Sequence, residues 1–107
     1  MSYWINLEAN ILLIEISAQI NFLDSKHGGR TVPFGQGFSP KLKFNNSNPE
    51  YFTEFNIEDS AIIFPGDQIK LELKIKGQPS IFLHKGASFD LFEGDKNIGN
   101  GTVMEIL

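Results

Sequence analysis

Ile69, Leu71, Leu73 and Ile75 alternate strictly with Lys70, Glu72, Lys74 and Lys76. That period of two is the mark of a β-strand with one buried face and one wet face. A helix would scatter the same charges right round its axis and leave no apolar stripe. The outward charges also discourage edge-to-edge pairing between chains.

Further runs follow the same rule. From Leu13 to Leu23 the spacing predicts a strand with Ile14, Ile16, Ala18, Ile20 and Phe22 inward, and Glu15, Ser17, Gln19 and Asn21 outward. Lys41 to Phe44 predicts a short strand with Leu42 and Phe44 inside. Tyr51 to Ile57 predicts another, with Tyr51, Thr53, Phe55 and Ile57 inside. Ala87 to Phe92 and Thr102 to Ile106 complete the set. Gly, Pro, Asn and Asp cluster between the runs, at Lys26 to Gly29, Asn45 to Pro49, Pro65 to Asp67, Gly77 to Pro79 and Gly94 to Asn97. These residues supply positive φ, a fixed proline φ or local side-chain caps. No segment keeps a helical period. Short strands at near-even spacing, divided by such turns, read as an all-β barrel or sandwich.

Composition narrows the function. The 107 residues suit a single domain, and a 41% hydrophobic share with ten phenylalanines is too apolar for a disordered chain. There is no cysteine, which removes disulfides, thiolate metal sites and thiol nucleophiles, and fits a reducing compartment. The start, Met1 to Trp4, has no basic region, and the apolar run Ile11 to Ile16 is broken by Glu15. The expectation is no signal peptide, no membrane span and a cytoplasmic location. The formal charge of −4 counts against nucleic acid as the main partner, because phosphate binding rests on a basic surplus.

Three stretches carry a resemblance. Gly28-Gly29-Arg30, Pro33-Phe34 and Phe38-Ser39-Pro40 lead into Lys41 to Phe44, and Pro65-Gly66-Asp67 turns the chain just before the strand that begins at Ile69. Near the end, Phe89 is followed by a Glu93 to Asn97 turn, then by Gly99 and Gly101. In this order and spacing they resemble the third, C-terminal domain of elongation factor Tu. That domain has a Gly-Gly-Arg turn, an aromatic-Arg-Pro step, a Pro-Gly-Asp strand start and a final hairpin ending in spaced glycines. The likeness runs from about Ile14 to Leu107. It implies a six-stranded antiparallel Greek-key β-barrel over residues 13–107, standing alone, with residues 1–12 as an N-terminal extension. Whether that extension adds a strand, packs on the barrel mouth or stays loose is open. For Gly99 and Gly101, a barrel bend and a close approach by a neighbour are both open.

The resemblance also implies partners. In the family this barrel packs on a GTPase domain, is contacted by a nucleotide exchange factor and touches the T stem of transfer RNA. The phosphate-binding loop of the GTPase domain has no counterpart in this sequence, since neither Gly28-Gly29 nor Gly94 to Gly101 has its spacing or lysine. No nucleotide and no other cofactor is therefore expected. Several arginines of the family pattern are replaced: Ser39 stands in the aromatic-Arg-Pro step, Phe92 before the final turn, and Asn45-Asn46-Ser47 for an Arg-Thr-Thr strand end; Asp95 in turn replaces a glycine. Arg30, Lys41, Lys43 and Lys96 remain as candidate contacts to RNA or another partner.

Catalytic and metal roles find no support. His27 and His84 sit in turns without a carboxylate cluster, and Ser60, Ser80 and Ser88 lack a nucleophile elbow. Glu54, Glu58 and Asp59 read as a solvated rim. Tyr3, Trp4, Phe38 and Phe92 are expected to be exposed aromatics of a protein interface, since aromatic rings bury much area at low entropy cost. Their alternative is to cap the open ends of the barrel. The reading is thus a binding module and no enzyme, engaging a protein or a second copy of itself, with transfer RNA as the alternative partner.

Overall fold

A computed structural model of the chain describes residues 3–6, 11–29, 32–35, 37–45, 47–58, 60–77 and 83–107, with side chains from residue 13 onward. Its strands are β1 (Tyr3–Asn6), β2 (Ile11–Phe22), β3 (Lys41–Phe44), β4 (Tyr51–Asn56), β5 (Gln68–Lys76), β6 (Ser88–Glu93) and β7 (Lys96–Ile106). A three-residue 3₁₀ turn, Ser25–His27, is the one helical piece among the described residues. None of the described helical structure is long and apolar enough to cross a membrane.

Every strand pairing is antiparallel, in the order β1-β2-β5-β4-β3-β6-β7, and a further β2–β7 pairing closes the circle. The long β2 explains how six strands close and a seventh is added. On one edge it pairs β5 from Leu13 to Asn21. On the other it pairs β7 from Ile16 to Phe22 and β1 from Ile11 to Ile14. Leu13 and Ile14 pair with β5 and β1 at once, so β1 must lie on the β7 edge and continue past the end of β7. Strands β2 to β7 therefore form a closed six-stranded barrel. In it β6 returns to lie beside β3 of the β3-β4-β5 meander, which is the Greek-key connection. Closure leaves no barrel strand as an open edge.

Alternation places the core. Ile14, Ile16, Ala18, Ile20 and Phe22 of β2, Leu42 and Phe44 of β3, and Thr53 and Phe55 of β4 are all buried, as their spacing predicts. Ile69 and Leu71 of β5 are only partly covered, whereas Leu73 and Ile75 are buried. Ser17 departs from expectation. It sits on the outward set of β2 yet is buried, because its short side chain lies directly between two longer ones, Glu72 on β5 and Glu105 on β7. A β-bulge follows it, between Ser17 and Ala18.

Strand β7 starts at Lys96, six residues before the predicted start, and so takes both glycines into the ladder. Gly101 faces Phe89 across the β6–β7 pair. A Cβ at Gly101 would stand 2.5 Å from Phe89 Cζ and 2.8 Å from Ile20 Cδ1. At Gly99 it would stand 2.8 Å from the Asn21 carbonyl oxygen. Close approach, of a ring in one case and of backbone in the other, is thus a reason for these glycines.

Candidate binding surfaces

One end of the barrel is closed by four phenylalanines. Phe22 and Phe34 have ring centroids 4.6 Å apart, Phe34 and Phe38 4.4 Å, and Phe38 and Phe55 5.3 Å. Phe38 was expected on the surface, and the structure corrects this: it is only 7% exposed. Two backbone bonds turn the segment inward. Phe38 N–H donates to the Gly35 carbonyl (3.2 Å), and Phe55 N–H donates to the Phe38 carbonyl (3.3 Å). Thr53 Oγ1 donates to the Pro40 carbonyl at 2.5 Å, and the Ser39 hydroxyl donates to the Thr53 carbonyl, so the segment is tied along β4. Phe38 is a capping residue of the barrel, the alternative role its position allowed.

Outside this plug lies an apolar ribbon. Phe34 and Ile63 form an antiparallel bridge with mutual backbone bonds of 2.8 and 2.9 Å, and both side chains point into the core. Their chain neighbours must therefore face away. Pro33 is exposed, as are Ile62 at 59% and Phe64 at 55%; Val32, two residues before Phe34, is exposed at 51% as well. The turn before β5 is held by Asp67, whose carboxylate accepts the Phe64 N–H at 2.9 Å. None of these apolar residues was singled out from the sequence as a surface candidate. The signal was present in the run Ile62 to Phe64, where burying the middle residue forces both neighbours out.

The chain reaches this ribbon through the 3₁₀ turn. Asp24 caps it, accepting the His27 N–H at 2.9 Å and pairing with His27 Nδ1 at 2.7 Å. The hydrogen bond from His27 lowers the Asp24 pKa below the ordinary carboxylate value. Gly29 N–H donates to the Asp24 carbonyl at 2.8 Å, and a Cβ at Gly29 would collide with the Leu23 carbonyl.

The outer wall carries the remaining candidates. Lys41 on β3 is in register with Phe52 on β4 and with Phe92 on β6, and Phe52 is in register with Lys76 on β5. Residues directly opposite share a face, so Lys76, Phe52, Lys41 and Phe92 form one row across four strands. Phe92 is half-buried, less exposed than expected. Phe52, at 64%, is the more exposed ring and was overlooked, although setting Thr53 inward already implied it. Lys41 Nζ stands 5.7 Å from the Phe52 ring centroid, within cation–π range.

The other sequence candidates do not gather into one site. Lys43 faces Asp90 in register, and Lys96 faces Glu93 across the β6–β7 turn. Arg30 lies outside the described residues, and so do the side chains of Tyr3 and Trp4, whose backbone forms part of β1. A hollow of about 580 Å³ on the β2–β5–β4 wall is lined by Glu15, Glu54, Asn56, Glu72 and Lys74. Among the described residues no group of three or more histidines, aspartates and glutamates is placed to hold a metal ion.

The fold is a closed six-stranded antiparallel Greek-key barrel with most of its phenylalanines in the core. The family model of the elongation factor Tu C-terminal domain matches residues 13–107, and the chain belongs to that family.

Proposed function

We propose that this chain is a non-catalytic protein-binding domain that docks through the apolar ribbon of Pro33, Ile62 and Phe64. The observation that carries this reading is the exposure of three apolar side chains, Pro33, Ile62 and Phe64, which the Phe34–Ile63 bridge turns out on one face. Apolar residues scattered singly are ordinary on a protein surface, but a contiguous group marks a contact site. In the family the barrel works packed against other protein, and a ribbon of this kind suits that use. Charge favours the same reading: Lys43 and Lys96, two cations kept from the family pattern, each face a carboxylate in register, which weakens any attraction to phosphate. The cytoplasm is the compartment this reading expects.

The test is a tagged pull-down from native lysate at low salt, with protein and RNA assayed in the same eluate. Wild type is compared with the double variant Ile62→Asp, Phe64→Asp. The expected result is a stoichiometric protein, or a second copy of the chain by sedimentation, that the double variant loses. Recovery of a transfer-RNA-sized species that vanishes at higher salt would overturn this reading in favour of the RNA alternative. In that case Lys41, Lys43 and Lys96 become the residues to change.

A further inference from the structure

From the outer row Lys76, Phe52, Lys41 and Phe92 we infer a second docking surface, which takes an extended polypeptide segment with a carboxylate between apolar side chains. This inference rests on the protein-binding reading and names the chemistry of a partner at a different place from the ribbon. The row begins with an anomaly. A phenylalanine on a barrel strand, 64% exposed, leaves a large apolar ring in water. Its neighbours make it more than a stray ring. Phe92 lies two strands away, about 10 Å at the usual strand spacing. Lys41 stands between the two rings in register with both. Two aromatic anchors with a cation between them form a recognisable pattern, since rings are the usual centres of binding energy.

Charge decides the kind of ligand. The row itself carries two lysines, with Lys76 4.0 Å from Glu54. On one side lies the row Glu15, Lys74, Glu54, two carboxylates against one ammonium. On the other, Lys43 faces Asp90 in register, and Glu50 lines the same hollow as Lys43 and Phe92. The face therefore reads negative, positive, negative across its width. A polynucleotide carries a charge at every step and would meet the two flanking rows as repulsion. A peptide with a single carboxylate meets only the central stripe. Its apolar side chains then cover Phe52 and Phe92, and its carboxylate lies by Lys41.

The experiment is a display selection of random peptides on the wild-type protein. Selected peptides are resynthesised and titrated against labelled protein by NMR, with an oligouridylate as the nucleic-acid probe. The expected consensus is an acidic residue flanked by apolar ones, with shifts confined to β3, β4, β5 and β6. Phe52→Ala and Lys41→Glu should each weaken binding about tenfold or more. Replacing the peptide's acid by its amide should do the same. Because Phe52 is exposed, its variant keeps the fold, and a thermal melt checks this. Peptides that depend on Phe64 and ignore Phe52 would overturn this inference and leave the ribbon reading intact. A basic consensus, or no enrichment, would also overturn it. Tighter binding of the oligouridylate than of any peptide would overturn both readings.

Discussion

Phe38 and Phe52 lie on neighbouring stretches of the same wall and meet opposite fates. Phe38 is packed among Phe22, Phe34 and Phe55, and its segment is stitched to β4 by backbone and hydroxyl bonds. Phe52 points outward from β4, with Lys41 near its ring and water over most of its surface. The plug uses its rings for stability. The outer row keeps its ring where it stabilises little, and that is the reason to look for a ligand there. The largest expected effect tests this contrast directly. Phe38→Ala should lower the unfolding free energy by ~3–5 kcal/mol, the usual cost of emptying a buried aromatic site. Phe52→Ala should change it by no more than ~0.5 kcal/mol. Urea melts of both variants decide the matter. Equal losses would mean that the outer ring is structural after all, and the contrast would fail.

Beside the plug end, the β6–β7 hairpin fills its interior so closely that it admits no side chain at Gly101. At Gly101 the Phe89 ring occupies the space a side chain would need. Gly101→Val should therefore cost ~1–3 kcal/mol through overpacking. Adding Phe89→Leu should recover part of that loss, because it removes the colliding atoms. An additive double variant would show that the strain lies in the backbone instead.

A smaller pair of effects separates a satisfied buried hydroxyl from an unsatisfied one. Thr53 Oγ1 has the Pro40 carbonyl as its acceptor, whereas Ser17 Oγ is buried with no hydrogen-bond partner among the described residues. Thr53→Val should destabilise by ~1 kcal/mol, since it leaves a carbonyl unpaired. Ser17→Ala should be neutral or slightly stabilising, since it removes a group that gains nothing from burial. A clear loss at Ser17 in the same melts would reveal a partner, such as a bound water, at the bulge.

Much of this barrel was legible because alternation is a strict rule. The set Ile14 to Phe22, the pair Leu42 and Phe44, and the β5 pattern all follow from period two with one dry face. The family motifs added what period two leaves open, namely the number and order of strands. The surfaces were harder to read. Phe38 follows a glycine-rich turn, where no periodicity indicates which way a side chain points, and the tie to β4 that draws it inward is a long-range contact. Phe52 was legible in principle, since its neighbours' inward setting fixed it outward. The ribbon needed the Phe34–Ile63 bridge, which joins segments far apart in the chain. Ser17 escaped because the alternation rule tells which face a residue is on and nothing about how its neighbours cover it.

The smallest expected effect asks whether the plug depends on the turn that leads to it or on the rings themselves. Asp24 caps the 3₁₀ turn and feeds the chain, through Gly29, toward Phe34. Its carboxyl is held below the ordinary value by the hydrogen bond from His27. A depressed folded pKa means that the contribution is fully present above the unfolded carboxylate value, about 3.9, and is lost as pH falls through the lower folded value. Melts of wild type and Asp24→Ala should therefore differ slightly and constantly from neutral pH down to about 4, and should converge below it. The group is exposed, so the gap should be far smaller than the one Phe38→Ala opens. The Phe38 ring signals should stay in place in Asp24→Ala, since ring packing and the β4 tie hold them. A gap that widens in acid would contradict the sign of the linkage. Displaced Phe38 signals would mean that the turn, and not the aromatic packing, sets the closed end of the barrel.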